Sequence, residues 1–222
     1  LVDRFGIEEF YALHAEPSLE VGSVGFISGY GTSNADIFEI QFEGKGGHGS
    51  RPQLAKDVVV AMGETIMALQ TVVARNINPQ LPGVISIGCA QAGDPNGTSV
   101  LPQKALIRGT TRSYQPEVRD LIERRIKEIA QGVAQMYGIS AKAQYTRLYP
   151  AMYNTPERVE EARAVAKEVL GEDKVHSLTG TMGGEDFSFM LLERPGCLFR
   201  LGMKDDEHNA PVHNERFNFN DK

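Results

Sequence analysis

The stretch DIFEIQFEGKG, residues 36–46, alternates apolar and polar side chains before it reaches its glycines. One set of alternating positions holds Phe38, Ile40 and Phe42, and the other holds Ile37, Glu39 and Gln41. Strict alternation predicts a β-strand with two chemically different faces, of which one is buried. We therefore expect this strand to belong to a sheet that is covered on one side.

Two long helices are predicted downstream of this strand. Residues 56–75 and 116–138 both carry apolar residues at spacings of three and four, as amphipathic helices do. The predicted stripes are Val58, Met62, Ile66, Leu69 and Val73 in the first helix, and Val118, Leu121, Ile122, Ile126, Ile129, Val133 and Met136 in the second. Pro116 is expected to open the second helix and Gly138 to end it.

Strand-like runs at 83–93, 104–114 and 140–149 complete the order strand, helix, strand, strand, helix, strand. This order predicts an α+β fold, a ferredoxin-like (βαββαβ) sandwich at 34–149 with two helices on one face of an antiparallel sheet. The flanks, 1–33 and 150–222, resemble pieces of a separate α/β domain into which the sandwich is inserted. In the first flank we expect a strand that ends at His14 and a second at 21–29; the other flank should hold a helix, a glycine-rich turn, a second helix and a strand.

Composition excludes several classes of protein. The 222 residues carry a formal charge of −6, which argues against nucleic acid as a partner. No apolar run is expected to approach the roughly 20 residues of a membrane span, and the first residues lack the pattern of a signal peptide, so we expect a cytoplasmic protein without a membrane partner. Cys89 and Cys197 lie in apolar contexts and are expected to be buried, reduced thiols rather than a disulfide or a metal pair.

Three histidines are candidates for chemistry. His14 and His213 could supply imidazole ligands to zinc or manganese, although a histidine satisfied by a local hydrogen bond is the simpler interpretation of each. His48 lies in GKGGHGSRP, residues 44–52, and its glycines suggest backbone freedom suited to a side chain that reaches into a site. An ordinary loop histidine is the alternative.

Two further segments could bind an anion. Ser99 precedes a proline turn, and Arg112, thirteen positions later, could hold a carboxylate through two hydrogen bonds or be an ordinary surface arginine. Gly183 and Gly184, in TMGGEDF, form a turn whose amides could receive an anion, although a capped helix start explains the turn equally well.

Together, ALHAEP, GKGGHGSRP, SVLP with the later arginine, TMGGEDF and VHNERFNFND occur in an order and spacing that resembles a known family. It is the amidohydrolase family of hippurate hydrolases, N-acyl-amino-acid amidohydrolases and auxin-conjugate hydrolases. That family lies within the dinuclear zinc metallopeptidases that include carboxypeptidase G. The resemblance covers essentially the whole chain.

The resemblance implies a role for each candidate. His14 and His213 match metal ligands, and His48 matches a lid histidine that reaches into the active site of a partner subunit and stabilises the oxyanion. Arg112 matches the residue that holds the substrate carboxylate, while Ser99 stands where the family usually has asparagine. Substrate-binding positions are thus Ser99, Arg112, Gly183 and Gly184. The implied domains are a lid or dimerisation domain at 34–149 and two fragments of a catalytic domain at 1–33 and 150–222.

The implied enzyme hydrolyses the amide bond of a small N-acyl or N-aroyl amino acid with two divalent ions, zinc or manganese or cobalt, and works as a homodimer through its lid. The family's general-base glutamate and its other metal-binding motifs do not occur in this sequence. We therefore expect an internal portion of a longer enzyme, inactive by itself. The alternatives are a ferredoxin-like dimerisation domain or a small-molecule-binding module, both without catalysis.

Overall fold

The structure is a computed structural model that describes residues 2–220. These residues form two compact units. The central unit is Asn34–Tyr149, and the flanking unit joins the described residues up to Ser33 with those from Pro150 onward. The elements are α1 (Val2–Phe5), β1 (Phe10–Glu20), β2 (Val24–Phe26), β3 (Gly29–Thr32), β4 (Ala35–Glu43), β5 (Gly47–His48), α2 (Val58–Thr71), β6 (Gly83–Ala92), β7 (Val100–Leu101), β8 (Lys104–Ser113), α3 (Pro116–Tyr137), β9 (Ser140–Tyr149), β10 (Met152–Asn154), α4 (Pro156–Leu170), β11 (Val175–Ser177), α5 (Ser188–Glu193) and β12 (Gly196–Lys204).

The central unit is built on a four-stranded sheet with the order β6, β8, β4, β9, in which every neighbouring pair is antiparallel. The first and last strands in sequence are neighbours, and Ala35 lies opposite Tyr149. The alternation in β4 is confirmed, because Phe38, Ile40 and Phe42 are buried while Ile37 on the other face is 43% exposed. Both long helices pack against the buried face.

Helix α3 ends as its sequence predicts, because Gly138 adopts a left-handed φ of 63° and caps it. Two residues of the predicted stripes are exposed rather than buried, Val73 on the first helix and Met136 on the second. On the first helix Val72 is buried in place of Val73. The fully buried positions Val58, Ala61, Thr65, Leu69 and Val72 are spaced by three and four residues, so Val72 rather than Val73 continues the buried face of this helix.

Residues Val58–Asn76 together are 19 residues long and, by length and composition alone, apolar enough to cross a membrane. The expectation that no apolar run approaches this length was wrong. Val58, Leu69 and Val72 nevertheless lie fully buried in the core of the central unit. Part of the apolar surface of this helix is therefore buried against the core of the central unit.

The flanking unit contains a sheet with the order β1, β12, β2, β11. β1 runs parallel to β12, so the two flanks of the sequence share one sheet. Helix α4 covers one face through Val159, which packs with Phe26. Helix α5 covers the other through Leu191, which joins a cluster with Leu198 and other residues.

Two expectations for the flanks were wrong, and one strand was missed. β1 does not end at His14 but continues to Glu20, because its pairing with β12 extends past that point with an irregularity between Glu16 and Glu20. Residues 21–29 do not form one strand, since β2 ends at Phe26 and a glycine with a left-handed φ of 80°, Gly29, begins β3 in another sheet. β11 was not predicted, because a three-residue strand leaves little periodicity to detect.

Both cysteines are free thiols, as expected. Cys197 is fully buried on β12, but Cys89, which was also expected to be buried, is partly exposed on β6. Burial raises the pKa of the Cys197 thiol to about 11. This thiol is therefore neutral at physiological pH.

Candidate functional site

His48 and Ser99 lie next to each other in the central unit. β5 and β7 form a short antiparallel ladder in which His48 faces Val100, and the amide of Gly49 donates to the carbonyl of Ser99 over 2.8 Å. Both His48 and Ser99 are exposed. The structure thus brings together two candidate residues that are about fifty positions apart in sequence.

The glycines around His48 allow close contact between backbones, and do not indicate the mobility that their sequence suggested. A Cβ at Gly46 would lie 2.8 Å from the carbonyl oxygen of Leu101, and one at Gly49 would lie 3.2 Å from that of Ser99. Neither glycine adopts a left-handed φ. The expected freedom of this loop is therefore corrected to a fixed ladder that needs small residues.

The hydrogen bonds of His48 determine its neutral tautomer. The backbone N–H of Ser50 donates to Nδ1 of His48 over 3.1 Å, and the Ser50 hydroxyl lies 2.8 Å from the same nitrogen. An N–H group can only donate, so Nδ1 is the acceptor and the ring proton of the neutral imidazole resides on Nε2. His48 therefore presents an exposed N–H donor.

His14 has the opposite arrangement. Its Nδ1 lies 2.8 Å from the carbonyl oxygen of Ala15, which can only accept, so Nδ1 carries the proton. Nε2 is left with its lone pair. A carbonyl that holds Nδ1–H in this way is the usual support of a metal-binding histidine. His14 lies on the same face of the sheet as Ala12, towards α5.

The remaining histidines lie in the flanking unit. His213 is exposed and has a φ of 64°, the left-handed region that residues other than glycine seldom occupy. Such strain is often found at functional sites. His208 contacts the Asp205 carboxylate through Nδ1 at 2.7 Å, and His176 lies on β11.

Arg112, on β8, is held at one end of its guanidinium group. Its Nη1 donates to the hydroxyl of Thr110 and to the carbonyl oxygen of Thr111, the latter over 2.8 Å. The Thr110 hydroxyl in turn donates to the carbonyl oxygen of Asp36 over 2.8 Å. Nε and Nη2 of Arg112 have no partner among residues 2–220. One edge of the guanidinium is therefore anchored and the other is available to a ligand.

Arg112 does not lie beside His48 and Ser99. β7 leads through Pro102 into the start of β8 at Lys104, whereas Arg112 is near the other end of the same strand. Eight residues of extended chain span on the order of 25 Å. Within one central unit, these residues cannot contact the same small molecule.

Gly183 and Gly184 are exposed in the turn before α5. The carbonyl oxygen of Gly183 accepts from the backbone amide of Ser33 over 2.9 Å, which fixes the turn inside the flanking unit. Neither glycine amide donates to another residue in the described part of the chain. Both N–H groups are free to bind an anion.

A buried charge that the sequence did not reveal lies near Arg112. Asp36 is fully buried, and Arg119 on α3 donates to both of its carboxylate oxygens, over 2.6 and 2.8 Å. Tyr145 donates to the same carboxylate over 2.8 Å, and burial chiefly, together with the Asp36 charge, raises the pKa of Tyr145. Arg119 and Tyr145 are far from Asp36 in sequence, so no local pattern indicates this cluster.

The described residues fit only part of a metal centre. His14 offers a lone pair with the support that a ligand needs. Nowhere in residues 2–220 do three histidine, cysteine, aspartate or glutamate side chains converge on one point. The described residues can thus contribute ligands to a metal site, but they do not complete one.

Comparison with curated proteins gives relatives with hydrolytic activities. The chain is 35% identical over 192 residues to the N-acetyldiaminopimelate deacetylase of Bacillus licheniformis. The aligned region covers 86% of this chain and 50% of that protein. It is 33% identical over 223 residues to the hippurate hydrolase of Campylobacter jejuni. Here the aligned region covers 100% of this chain and 57% of that protein. The chain thus spans about half the length of the curated relatives it matches.

Solved structures agree with these relatives. A candidate aminohydrolase from methicillin-resistant Staphylococcus aureus superposes with a TM-score of 0.88 at 31% identity, covering 96% of this chain and 55% of that one. The Bacillus subtilis YXEP protein, described as a dinuclear metal-binding peptidase of the M20 family, gives a TM-score of 0.76 at 25% identity, with 99% and 55% covered. The family model of peptidase family M20/M25/M40 matches residues 1–222, and the chain therefore belongs to this family.

Proposed function

We propose that this chain is part of a metal-dependent amidohydrolase that cleaves the amide bond of small N-acyl or N-aroyl amino acids. The proposal rests on the position of the ring proton in two histidines, which is on Nε2 in His48 and on Nδ1 in His14. His48 offers an N–H donor at Nε2, whereas His14 offers a lone pair at the same atom. Amide hydrolysis at a metal centre needs both, a donor for the oxyanion and a ligand for the metal.

The free edge of Arg112 is proposed to bind the carboxylate of the substrate, because two parallel N–H groups match a carboxylate. The free amides of Gly183 and Gly184 are proposed as further donors to the substrate. The Nε2–H of His48 donates to the oxygen that becomes negative when the amide carbonyl is attacked. Ser99, beside His48, can add a hydroxyl donor, although it is shorter than the asparagine usual at this position.

His14 and His213 are proposed as ligands of a centre with two divalent ions, zinc or manganese or cobalt. Such ions, when bound, lower the pKa of a coordinated water and polarise the carbonyl. The chain's own contribution is to keep the lone pair of His14 on Nε2, because the hydrogen bond to Ala15 holds the ring proton on Nδ1. The other ligands and the general base are not identified among the described residues, so we propose that these 222 residues alone do not turn over substrate.

We also propose that the central unit is a ferredoxin-like lid that forms a homodimer. Its strand and helix order and its antiparallel sheet support the first part. An apolar surface on α2 supports the second, since Val59, Val60 and Met67 are 40%, 51% and 67% exposed. Because His48 and Arg112 lie at opposite ends of one unit, a dimer would let one site take His48 from the partner's lid and Arg112 from its own.

The test compares this chain with a form extended toward the length of the relatives, assayed on N-benzoylglycine with zinc or manganese. We expect turnover only by the extended form. His48→Ala should lower its kcat by about 10²- to 10³-fold, and Arg112→Ala should mainly raise KM. The matched ligand N-benzoylglycine amide, which lacks the carboxylate, should not respond to Arg112→Ala. Activity that survives both substitutions unchanged contradicts the proposed roles, and turnover by the short chain contradicts its proposed inactivity.

The competing function is a dimerisation or small-molecule-binding module without catalysis. Zinc titration followed by native mass measurement separates the two, since only the enzyme requires bound metal. In this chain, we expect weak zinc binding that His14→Ala reduces, because a site short of ligands holds metal poorly. An equal affinity in the variant favours the competing function.

A further inference from the structure

Thr110 lies two residues before Arg112 on β8, so the two side chains project from the same face of the central sheet. The register partner of Thr110 on β4 is Ile37, which is 43% exposed, and this face is therefore the one that the helices leave open. Thr110 and Arg112 are both only partly buried. The Thr110 hydroxyl thus lies beside a guanidinium group that a ligand can reach.

This hydroxyl connects Arg112 to the backbone of β4. It donates its proton to the carbonyl oxygen of Asp36 over 2.8 Å and accepts a hydrogen bond from Nη1 of Arg112. A hydroxyl has one proton, so donation to Asp36 leaves its lone pairs to the arginine. The acceptor for Arg112 is therefore oriented by a neighbouring strand.

Asp36 is a firm support for that acceptor. Its carboxylate is fully buried and accepts hydrogen bonds from Arg119 and Tyr145, and its backbone lies opposite Thr111 in the ladder between β4 and β8. The carbonyl oxygen that orients Thr110 is consequently held by the core of the central unit and not by a loop.

The hydrogen bonds of Nη1 determine which edge of Arg112 can bind a carboxylate. A guanidinium group can offer two parallel donors either from Nη1 and Nη2 or from Nε and Nη2. The first pair is excluded, because the two protons of Nη1 are donated to the Thr110 hydroxyl and to the Thr111 carbonyl. Nε and Nη2 have no partner in the described part of the chain, so only their edge is available.

We propose that Thr110 is a positioning residue that holds Arg112 so that a substrate carboxylate binds side-on, through Nε–H and Nη2–H. The inference rests on the proposed function, in which Arg112 binds this carboxylate, and it adds the residue that sets the orientation. An arginine that is already oriented loses less conformational freedom when the ligand binds. Thr110 therefore strengthens the binding of acids without contacting them.

The experiment uses the extended form of the protein with N-benzoylglycine and its amide as substrates. Thr110→Val exchanges the hydroxyl for a methyl group on the same branched side chain, whereas Thr110→Ser keeps the hydroxyl. Thr146→Val is the matched control, since Thr146 is the register partner of Ile37 on β9 and is exposed. The Thr146 hydroxyl forms no hydrogen bond with any described residue.

We expect Thr110→Val to raise KM for N-benzoylglycine about 3- to 10-fold, as loss of one hydrogen bond to a charged donor predicts, and to change kcat by less than about twofold. Thr110→Ser and Thr146→Val should have little effect, and the amide should respond to none of the variants. Because Thr110 acts through Arg112, adding Thr110→Val to Arg112→Ala should not raise KM further. Thr110→Ala also removes the hydroxyl and tests the same loss if valine disturbs the sheet.

A second measurement needs neither metal nor substrate. Nη1 and Nη2 of Arg112 exchange by rotation about the Nε–Cζ bond, and ¹⁵N NMR of the 222-residue chain measures the rate of this rotation. Anchored Nη1 should make the rotation slow in the wild type and in Thr110→Ser, and faster in Thr110→Val and Thr110→Ala.

The outcomes separate this inference from the proposed function. An unchanged KM in Arg112→Ala contradicts the role of Arg112 itself. If Arg112→Ala raises KM but neither Thr110→Val nor Thr110→Ala does, the positioning role of Thr110 alone is wrong. Additive effects of the two substitutions on KM, or equal rotation rates with and without the Thr110 hydroxyl, also overturn it.

Discussion

Asp36 and Glu39 lie on the same strand, and each faces an arginine, but their surroundings differ. Asp36 is fully buried and bonded to Arg119, whereas Glu39 pairs over 2.9 Å with Arg108, whose side chain is 61% exposed. Water competes for the second pair and screens it, which limits surface ion pairs to about 0–1 kcal/mol. The first pair is shielded from water, so loss of either partner leaves a buried charge.

We expect Asp36→Asn to lower the free energy of unfolding by about 3–5 kcal/mol, because Arg119 would remain buried without its carboxylate. Glu39→Gln is the matched control and should cost less than about 1 kcal/mol. Urea unfolding followed by circular dichroism measures both. Equal effects of the two substitutions would show that burial does not distinguish these pairs.

At the level of elements, local patterns were reliable where one face of a strand or helix is buried. β4 and α3 have the limits and most of the buried residues that alternation and helical spacing predict, because each packs against a single core. Prediction failed where pairing with a strand that is distant in sequence determines the length or the backbone conformation of a segment. β1 is long because β12 continues beside it, and the glycines near His48 serve the approach of β7.

The same difference between local patterns and contacts with distant segments applies to the candidate site. Sequence alone identified His48, Ser99 and Arg112 as candidates, but their relative placement depends on pairings between β5, β7 and β8. The tautomer of His48 depends on the amide of Ser50, two residues away, and such a short loop contact has no signature in the sequence.

On α3, Ile122 and Met136 belong to one predicted stripe, but Ile122 is fully buried and Met136 is 63% exposed. Ile122→Ala should lower the free energy of unfolding by about 2–5 kcal/mol, since it removes contacts and leaves a cavity. Met136→Ala should change it by less than about 0.5 kcal/mol. Urea unfolding of both variants checks this, and a large loss with Met136→Ala would mean that an interface covers the end of the helix.

At the scale of the whole molecule, the proposed lid dimer gives a direct prediction. Met67→Glu places a charge in the exposed apolar surface of α2, and we expect it to shift the protein from dimer to monomer in sedimentation velocity. Val169→Glu, on α4 of the flanking unit, is the matched control because Val169 is 73% exposed. A wild-type protein that remains monomeric at high micromolar concentration contradicts the dimer.

The parallel pairing of β1 with β12 also determines the order in which the chain can fold. The strands of the central unit meet one another within Asn34–Tyr149, so this unit can complete its sheet while the ribosome is still adding the residues that follow. β1 must wait for β12, which is synthesised last among the strands that the structure describes. During that interval the edge of β1 that β12 later covers is open and able to pair with other chains. Slow translation after Tyr149 would prolong this exposure, and nascent chains would be most prone to aggregate at that stage.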